Sequence, residues 1–344
     1  MKITTIGLDL SKSVFQVHGV DEDGVPVLMK RLRRKQMEPF FAKLPSCLIG
    51  IEACATAHHW ARVLVGFGHE VKLMPPAYVK AYVKRGKNDA ADAEAICEAI
   101  RRPTMRFVPI KSPDQQSILM IHRARSLVVR QRTMAANALR SHLAEFGRVA
   151  NPGIRNILKL ARSVFDETEE DRKLPELART ALAVLVRRLI ELEEERQTLD
   201  QALLAWHKET EASRKLATVP GIGVVTATAI AATVSDPQQF RSGRQFAAWL
   251  GLVPQQHSSG SKVRLGGISK QGDRYLRRML VIGATAIIRH CRDKNTPMAA
   301  WLRELLAKKP VRVVSVALAN KLARVAWALL TRQETYQPYR LAHA

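Results

Sequence analysis

The order of apolar runs in the first hundred residues limits the folds open to this chain more than any other feature. Five short runs have the length and residue content of β-strands, and they cover residues 3–10, 14–20, 27–32, 47–51 and 70–74. The first three follow one another through short turns, whereas segments of helical pattern separate the later ones. Three hairpin-connected strands followed by alternating helices and strands predict an α/β domain built on one mixed sheet.

This order is the one expected of a ribonuclease H-like domain, and it puts two acids in unusual positions. Asp9 lies within the first predicted strand, and Glu52 directly follows the fourth. A carboxylate inside an apolar strand costs several kcal/mol if it is left unpaired. Because the first and fourth strands are neighbours at the centre of such a sheet, both acids are candidate metal ligands.

A second pair of acids begins the next predicted helix. Asn88 is a favourable N-cap before the helical pattern of residues 89–100, so Asp89 and Asp92 are predicted in its first turns. A spacing of three puts both carboxylates on one helix face, roughly 5 to 6 Å apart. Acids at a helix N-terminus also offset the helix dipole, which is the simpler explanation for an isolated DxxD. Together with the two strand acids, however, they would form a four-carboxylate site for two Mg²⁺ ions.

The charge balance indicates a polyanionic partner. The chain holds 55 Lys and Arg against 31 Asp and Glu, which gives a formal net charge of +24. Basic residues massed on particular elements are the electrostatic signature of nucleic-acid binding, and a solvated basic surface is the alternative. The candidate contacts in the first half of the chain are Lys87, Arg123, Arg125, Arg130 and Arg132.

Cysteine spacing and hydropathy indicate the compartment. The four cysteines show no CxxC spacing and no paired histidines, which argues against a zinc site and against a disulfide framework. The longest uninterrupted apolar run, residues 279–288, is too short to span a bilayer, and no signal peptide is apparent. We therefore expect a soluble cytoplasmic protein without a membrane partner.

Two long helical segments form the predicted middle region, residues 111–214. The first begins at a capping box around Ser112 and runs to about residue 146. In the second, apolar residues recur at alternating steps of three and four between residues 182 and 206. This heptad pattern predicts a coiled coil, either antiparallel with the preceding helix or between protomers.

A hairpin-like turn opens the predicted C-terminal region, residues 215–344. The tetrapeptide PGIG at residues 220–223 lies between an apolar turn and a helix of small residues, and this arrangement resembles a helix-hairpin-helix DNA-binding element. Gly221 and Gly223 would let the backbone approach a phosphate closely. PGIG is also found in ordinary turns between helices, so the motif is moderately specific.

A loop and a basic helix follow in this region. The loop at residues 251–267, GLVPQQHSSGSKVRLGG, carries hydroxyls next to basic side chains, which on its own is typical of a flexible linker. The basic helix is predicted over residues 272–290. Further candidate nucleic-acid contacts in these segments are Lys262, Arg264, Lys270, Arg274, Arg277 and Arg278.

Together these motifs resemble those of the insertion-sequence family 110 transposases. The segments IGLDLSK, IEA and KNDAAD resemble the DEDD metal site of that family, whose catalytic domain is similar to the Holliday-junction resolvase RuvC. The segments PGIG, RQFAAWLGLVPQQHSSGSK and SKQGDRYLRRML resemble the C-terminal transposase domain of the family. The similarity spans nearly the whole chain.

The resemblance implies a fold and a set of site residues. It implies a RuvC-like α/β domain at residues 1–110, long coiled-coil helices and an all-α C-terminal transposase domain. The implied ligands of Mg²⁺, or alternatively Mn²⁺, are Asp9, Glu52, Asp89 and Asp92. Ser259 matches the nucleophilic serine of the family, with Ser258 and Ser261 as adjacent alternatives.

The resemblance also implies an activity and its partners. It implies DNA cleavage by serine attack on a metal-activated phosphodiester, a transient phosphoserine link and rejoining of the strands. A structured noncoding bridge RNA would pair with donor and target DNA, and a homo-oligomer, either a dimer or a tetramer, would assemble the site. Such a protein would act at the bacterial nucleoid.

Two other functions would use the same residues. A hydrolytic, structure-selective endonuclease of resolvase type would use the four carboxylates with water as the nucleophile, and it would depend on no serine in the loop. A non-catalytic nucleic-acid-binding protein would use only the hairpin and the basic helices. In that last case, replacing Asp9 would leave every activity unchanged.

Overall fold

The computed structural model divides the chain into two compact units, Met1–Ser112 and Pro113–Ala344. The described residues are 2–84, 88–166, 174–260, 262–291, 296–332 and 334–337. The first unit is α/β and the second is mainly helical, in agreement with the mixed fold class predicted from the sequence. The first unit ends two residues beyond the predicted boundary, and the predicted middle and C-terminal regions form one unit.

A five-stranded mixed sheet forms the centre of the first unit. Its strands are β1 (Thr5–Asp9), β2 (Val14–Val20), β3 (Pro26–Arg33), β4 (Leu48–Glu52) and β5 (Glu70–Met74). The strand order is β3-β2-β1-β4-β5, in which β1, β4 and β5 run parallel and β2 pairs antiparallel with both of its neighbours. The first and fourth strands are therefore neighbours, as the sequence predicted.

Helices cover both faces of this sheet. They are α1 (Met37–Phe41), α2 (Ala57–Gly66), α3 (Pro76–Val79) and α4 (Asp89–Ile100). Ile6 and Leu8 of β1 are fully buried in the same cluster as Trp60 of α2. Because side chains alternate along a strand, Gly7 faces the opposite side, where α4 crosses β1 and β4.

The contact between β1 and α4 is close because Gly7 has no side chain. A Cβ at this position would lie 2.5 Å from the backbone nitrogen of Cys97 and would also clash with the carbonyl oxygen of Ala93. Gly50 pairs with Gly7 on the adjacent strand, and a Cβ there would lie 3.1 Å from side-chain atoms of Ile96. Two neighbouring glycines thus form a flat patch on which α4 rests directly on the sheet.

Nine helices are assigned in the described part of the second unit. They are α5 (Pro113–Glu145), α6 (Ile154–Phe165), α7 (Glu176–Glu209), α8 (Glu211–Ala217), α9 (Val224–Thr233), α10 (Gly243–Trp249), α11 (Arg274–Arg289), α12 (Pro297–Lys308) and α13 (Val311–Arg332). An antiparallel pair, β6 (Pro254–Gln256) and β7 (Leu265–Ile268), lies between α10 and α11. The sequence predicted only a loop there, because strands this short that contain two glycines give no clear alternation.

The two long helices α5 and α7 pack against each other within the chain. Arg125 of α5 pairs with Asp200 of α7 at 2.5 Å, and seven residues further along α5 Arg132 pairs with Glu193. Residue numbers rise along one helix as they fall along the other, so the helices are antiparallel. Leu189 of the predicted heptad is fully buried. The structure thus shows the intrachain pairing, one of the two arrangements that the heptad left open.

The apolar core of the second unit is built around α9, α11 and α13. Gly221 in the turn before α9 has a φ of +83°, and its carbonyl lies against Gly283 of α11, where any Cβ would clash. Helix α13 is long and apolar enough to cross a bilayer by composition, although half of its most apolar window is buried inside this unit. Burial in a core accounts for that composition equally well.

We predict that Gly7→Ala lowers the free energy of unfolding by about 1 to 3 kcal/mol, because the new Cβ must push α4 off β1. Urea denaturation monitored by far-ultraviolet circular dichroism would measure the change. Gly66→Ala is the matched control, since a Cβ at the exposed end of α2 meets no atom within 4 Å. Equal stability of the two variants would contradict the close packing.

Candidate functional site

Three carboxylates from β1 and α4 meet in the first unit. One oxygen atom from each of Asp9, Asp89 and Asp92 lies within 4.8 Å of the other two. Asp9 is the last residue of β1, and the two helix acids occupy the first turn of α4. The close contact at Gly7 brings that turn to the end of the strand.

The start of α4 is fixed by an N-cap. The side-chain oxygen of Asn88 accepts a hydrogen bond of 2.7 Å from the backbone nitrogen of Ala91, and its carbonyl accepts one from Asp92. This cap satisfies backbone groups that a helix otherwise leaves unpaired. It also determines where the helix begins, and therefore which face carries Asp89 and Asp92.

The electrostatics of the cluster disfavour its full negative charge. The pKa of Asp9 is raised to about 6, chiefly by burial and then by the negative charges of Asp92, Asp89 and Glu52 in that order. The backbone N–H of Leu10 opposes the shift only in part. Carboxylates that repel one another in a half-buried site are stabilised by a bound cation.

Glu52 lies at the edge of the cluster. It ends β4 beside β1, and Leu8 pairs with Ile51 in the preceding register position. Burial raises the pKa of Glu52, and the charge of Asp92 raises it further. Its carboxylate is not one of the three whose oxygens approach within 4.8 Å. The structure therefore brings three of the four predicted ligands together and places Glu52 close enough to interact electrostatically with them.

The donor set suits a divalent cation. Carboxylate oxygens are the ligands that Mg²⁺ and Mn²⁺ prefer. Within the described residues, none of the four acids forms a salt bridge that would neutralise it. Lys84, the nearest described base before α4, instead pairs with Glu94 at 2.5 Å. Lys87, which was predicted to contact nucleic acid, lies outside the described residues.

The basic residues of α5 divide into two groups. Arg125 and Arg132 face α7, are only about one-fifth exposed and form ion pairs with its acids. These ion pairs join the two helices, and contact of Arg125 and Arg132 with nucleic acid stays a prediction. Arg123 and Arg130 are exposed to solvent. The sequence could not separate these groups because a helical pattern alone does not show where the partner helix lies.

The two glycines of the predicted hairpin also differ. Gly221 is packed against α11: its carbonyl lies against Gly283, and a Cβ added to Gly221 would lie 2.6 Å from the side chain of Ile287. Gly223 is exposed and has open space around it, and it immediately precedes α9. Only Gly223 is therefore placed to let a ligand approach the start of that helix.

The loop serines lie at the tip of the hairpin formed by β6 and β7. Ser259 and Lys262 form a bridge in which the nitrogen of Lys262 donates to the carbonyl of Ser259 at 3.2 Å. The Ser258 hydroxyl oxygen accepts hydrogen bonds from the Arg264 backbone and from Gln256. In the described part of the chain, the Ser259 hydroxyl is exposed and makes no hydrogen bond. Ser261 lies outside that part.

The basic residues near α11 have different environments. Arg277 donates to the carbonyl oxygens of Leu250 and Gln271, both at 2.8 Å, so it holds the turn before the helix in place. Arg278 donates to Ser126 of α5 and lies over the ring of Tyr275. The remaining predicted contacts are exposed, and they are Lys262, Arg264, Lys270 and Arg274.

A buried polar contact that the sequence did not indicate ties three helices of the second unit. His122 of α5 is almost fully buried, with one ring nitrogen 3.0 Å from the hydroxyl of Tyr275 and the other 3.1 Å from that of Thr228. The pKa of His122 is lowered to about 4, chiefly by burial and then by the charge of Arg125. A neutral histidine thus links α5, α9 and α11.

Family profiles match both halves of the chain. A profile of DEDD transposases of IS110 type, described as "Transposase", matches residues 6–147. A second profile, described as "Transposase IS116/IS110/IS902 family", matches residues 213–299. The first match contains all four predicted metal ligands, and the second contains the serine hairpin.

Curated relatives align over nearly the whole chain. A putative transposase of Sinorhizobium fredii is 48% identical over 98% of this chain and 86% of its own length. A probable family 20 transposase of Pseudomonas aeruginosa is 47% identical over 98% of this chain and 100% of its own length. The transposase for insertion sequence element IS1111A of Coxiella burnetii is 38% identical over 97% of this chain and 92% of its own length.

We predict that Asp9→Asn stabilises the metal-free protein and that the gain depends on pH. With a folded pKa of about 6 against an ordinary 3.8, Asp9 keeps its proton longer in the folded chain. Its contribution to stability therefore falls as pH rises between these values. Near pH 7.5 the melting temperature of the variant should be about 2 to 4 °C higher than that of the natural chain. This range is smaller than the full pKa shift implies, because solvent screens the charge of a half-buried carboxylate.

Thermal melts in the presence of a chelator, repeated from about pH 4.5 upward, would measure this difference. Near pH 4.5 the two proteins should melt within about a degree of each other, because the folded carboxyl is then protonated. Added Mg²⁺ or Mn²⁺ should raise the melting temperature of the natural chain and have a much smaller effect on the variant. An equal metal effect on both proteins would count against the cluster as a metal site.

Proposed function

Since the chain belongs to the IS110 family of transposases, enzymes that cut and rejoin DNA, we propose that it is a metal-dependent DNA recombinase with a serine nucleophile. The observation that carries the proposal is the meeting of Asp9, Asp89 and Asp92 at the end of β1. Carboxylates arranged in this way are typical of sites for phosphoryl transfer. The strand order β3-β2-β1-β4-β5 of the α/β unit that holds them supports the RuvC-like nuclease domain that the sequence motifs imply.

In the proposed site, Glu52 joins the three aspartates as the fourth metal ligand. Burial is the main cause of the raised pKa of Glu52, and the further rise from the charge of Asp92 supports its assignment to the same group of acids. With the Glu52 carboxylate turned toward the three aspartates, the set would contain four carboxylates. Two Mg²⁺ ions, when bound, would neutralise the phosphate and stabilise the charge that develops on the attacking and leaving oxygens.

Ser259 is the residue proposed to attack the scissile phosphate. Its Oγ forms a bond to phosphorus as one P–O ester bond of the strand breaks, and the released sugar oxygen takes up a proton that balances the one lost by the hydroxyl. Attack by the freed sugar hydroxyl of another strand on this phosphoserine would rejoin DNA without a separate energy source. The ester bond energy is retained in the covalent intermediate.

The hairpin supports the choice of Ser259 over Ser258. The Ser258 oxygen already accepts two hydrogen bonds within the hairpin, whereas Ser259 is exposed and its hydroxyl accepts none from the described residues. Lys262 and Arg264 lie on the same hairpin and are exposed. These two cations would hold the phosphate groups on either side of the scissile bond.

We predict that Ser259→Ala abolishes strand exchange and any covalent link between protein and DNA, while leaving folding unchanged because the residue is exposed. Denaturing gels of reactions on radiolabelled substrate would detect the link. Ser258→Ala is the matched control and should keep the covalent product. If Ser259→Ala still cut DNA to free ends, the protein would instead be a hydrolytic endonuclease of resolvase type.

Nucleic-acid contacts in the proposal are limited to exposed cations. Arg123 and Arg130 of α5 are exposed, unlike Arg125 and Arg132, which pair with acids of α7. These two exposed arginines remain available to a phosphate backbone. Near the serine hairpin, Lys270 and Arg274 offer the same chemistry. Replacing one of these residues should lower affinity for all DNA sequences similarly, as loss of a phosphate contact does.

A structured noncoding RNA is proposed as the guide that pairs with donor and target DNA. The net charge of +24 supports a polyanionic partner, a class that includes RNA as well as DNA. We predict that protein purified from cells carrying the whole element retains RNA transcribed from its flank, and that ribonuclease treatment abolishes site-specific cleavage. Sequencing of the retained RNA would test this.

Asp9→Asn is the control for RNA retention. This variant should bind the same RNA and fail to cleave, because Asp9 belongs to the carboxylate cluster. Cleavage of the correct site by RNA-free protein would contradict the guide proposal and leave the metal site intact.

A homo-oligomer, a dimer or a tetramer, is proposed for the active assembly. Although α7 fills one side of α5, Met120, Leu127 and Met134 remain 67%, 45% and 63% exposed on α5. Their spacing of seven residues forms a second apolar stripe suited to another helix. A monomeric mass by light scattering for the complex with DNA would exclude this arrangement.

A further inference from the structure

A cavity of about 490 Å³ lies in the second unit, between the start of α10, the C-terminal half of α13 and residues 334–337. Its volume is within the range of pockets that hold small organic ligands. Nothing in the proposed cleavage chemistry uses it.

One wall of the cavity is apolar and includes aromatic rings. Its apolar lining is formed by Val325, Trp327, Ala328, Leu329 and Tyr336. The indole nitrogen of Trp327 donates to the carbonyl oxygen of Pro237 at 3.0 Å, which fixes the orientation of the ring. Flat apolar surfaces of this kind stack on the π-faces of nucleobases.

The floor of the cavity is held rigid by a glycine contact. Gly243, at the start of α10, packs directly on the backbone of α13, where a Cβ would lie 3.1 Å from the Cα and carbonyl oxygen of Arg324. The separation of the two helices is thereby set by backbone atoms. A preformed pocket loses little ordering entropy when a ligand binds.

Three arginines surround this apolar wall. Arg244 and Arg332 are exposed, and Arg324 is half-buried. In the described part of the chain, none of the three forms an ion pair with an acid. Arg125 and Arg132 on α5 show the opposite behaviour, since both are paired with carboxylates of α7.

The surroundings of Arg324 add to the positive potential. Lys321, one turn earlier on α13, is buried and lies 4.8 Å from the centre of the Trp301 ring. Burial lowers the pKa of Lys321, and the charge of Arg324 lowers it further. Glu334 is the one acid among the described residues of the lining. An anion bound beside Arg324 would relieve this repulsion.

An apolar stacking wall beside several guanidinium groups matches the chemistry of a nucleotide. Guanidinium groups bind phosphate oxygens through paired hydrogen bonds, and the aromatic rings accept the base. Three guanidinium groups are more than one phosphate requires, which favours a nucleotide inside a strand, with a phosphate on each side. A base that is paired and stacked in a duplex presents only its edges, so it could not lie flat against these rings.

We propose that this cavity holds one unpaired nucleotide of a nucleic-acid strand, with the base against Trp327 and Tyr336 and the flanking phosphates on Arg244, Arg324 and Arg332. The site is separate from strand cleavage, and its occupancy depends neither on the carboxylate cluster nor on Ser259. It would therefore remain if the proposed nucleophile were wrong.

The test compares Arg324→Gln with Arg289→Gln in the full chain. Both variants lose one positive charge, and Arg289 is an exposed residue at the end of α11 that does not line the cavity. Fluorescence anisotropy would measure the affinity of short single-stranded DNA, single-stranded RNA and duplex DNA at one fixed salt concentration. A general charge effect should be equal for the two variants.

We expect Arg324→Gln to weaken single-strand binding about tenfold and Arg289→Gln to weaken it no more than about twofold, with duplex affinity equal in both. The DNA and RNA arms identify which strand is the ligand. Equal losses in the two variants would overturn the proposal. The affinity of adenosine monophosphate would be measured as well. If it depended on Arg324 to the same extent and a strand bound no more tightly, the proposal would be overturned in favour of a free nucleotide as the ligand.

Gly243 packs on the backbone of Arg324, so Arg324→Gln could also disturb folding. Arg332 is exposed, and Arg332→Gln is therefore a second variant that should leave folding unchanged. We expect it to weaken single-strand binding about threefold or more. Photocrosslinking with a strand that carries one 4-thiouridine or 4-thiothymidine adds a direct readout. We expect the crosslinked peptide to contain Trp327 or Tyr336. Crosslinks confined to other peptides would contradict the assignment.

Discussion

The direct contact of α4 with β1 at Gly7 is the constraint on which the candidate site depends. It brings the first turn of a helix to the end of a strand, so that carboxylates distant in sequence lie within 4.8 Å of one another. The contact also buries Asp9 among other acids, and burial first and then their negative charges raise the pKa of this carboxyl. Packing of apolar residues such as Ile96 on the sheet supplies the stabilisation that holds these charges together.

Much of the first unit could be predicted from the sequence because its signals are local. Strand lengths and turn residues predicted the bounds of β1 to β5 within a few positions, and Asn88 predicted where α4 begins. The acids Asp9 and Glu52 were found because a charge in an apolar strand is itself unusual. What could not be predicted was the distance between side chains, which depends on how closely α4 packs on the sheet. Glu52 at the edge of the cluster is the result.

The second unit was less predictable because its features depend on partners distant in the chain. Arg125 and Arg132 have the same local pattern as Arg123 and Arg130, and only the position of α7 separates paired from exposed cations. His122 carries no local signal either, since its two partners come from α9 and α11. The hairpin around Ser259 was predicted as a loop because its strands have three and four residues.

Comparison of paired and unpaired charges relates the fold to its proposed functions. Where two helices must be joined, as between α5 and α7, the chain places an acid opposite each base, and folding alone satisfies both. The carboxylates around Asp9 and the guanidinium groups around Arg324 have no such partners in the described residues, although a neutral side chain would avoid the repulsion at either place. Like charges retained side by side are stabilised when a ligand of opposite charge binds. The divalent cation proposed at the first site and the phosphate groups proposed at the second therefore have the same physical explanation.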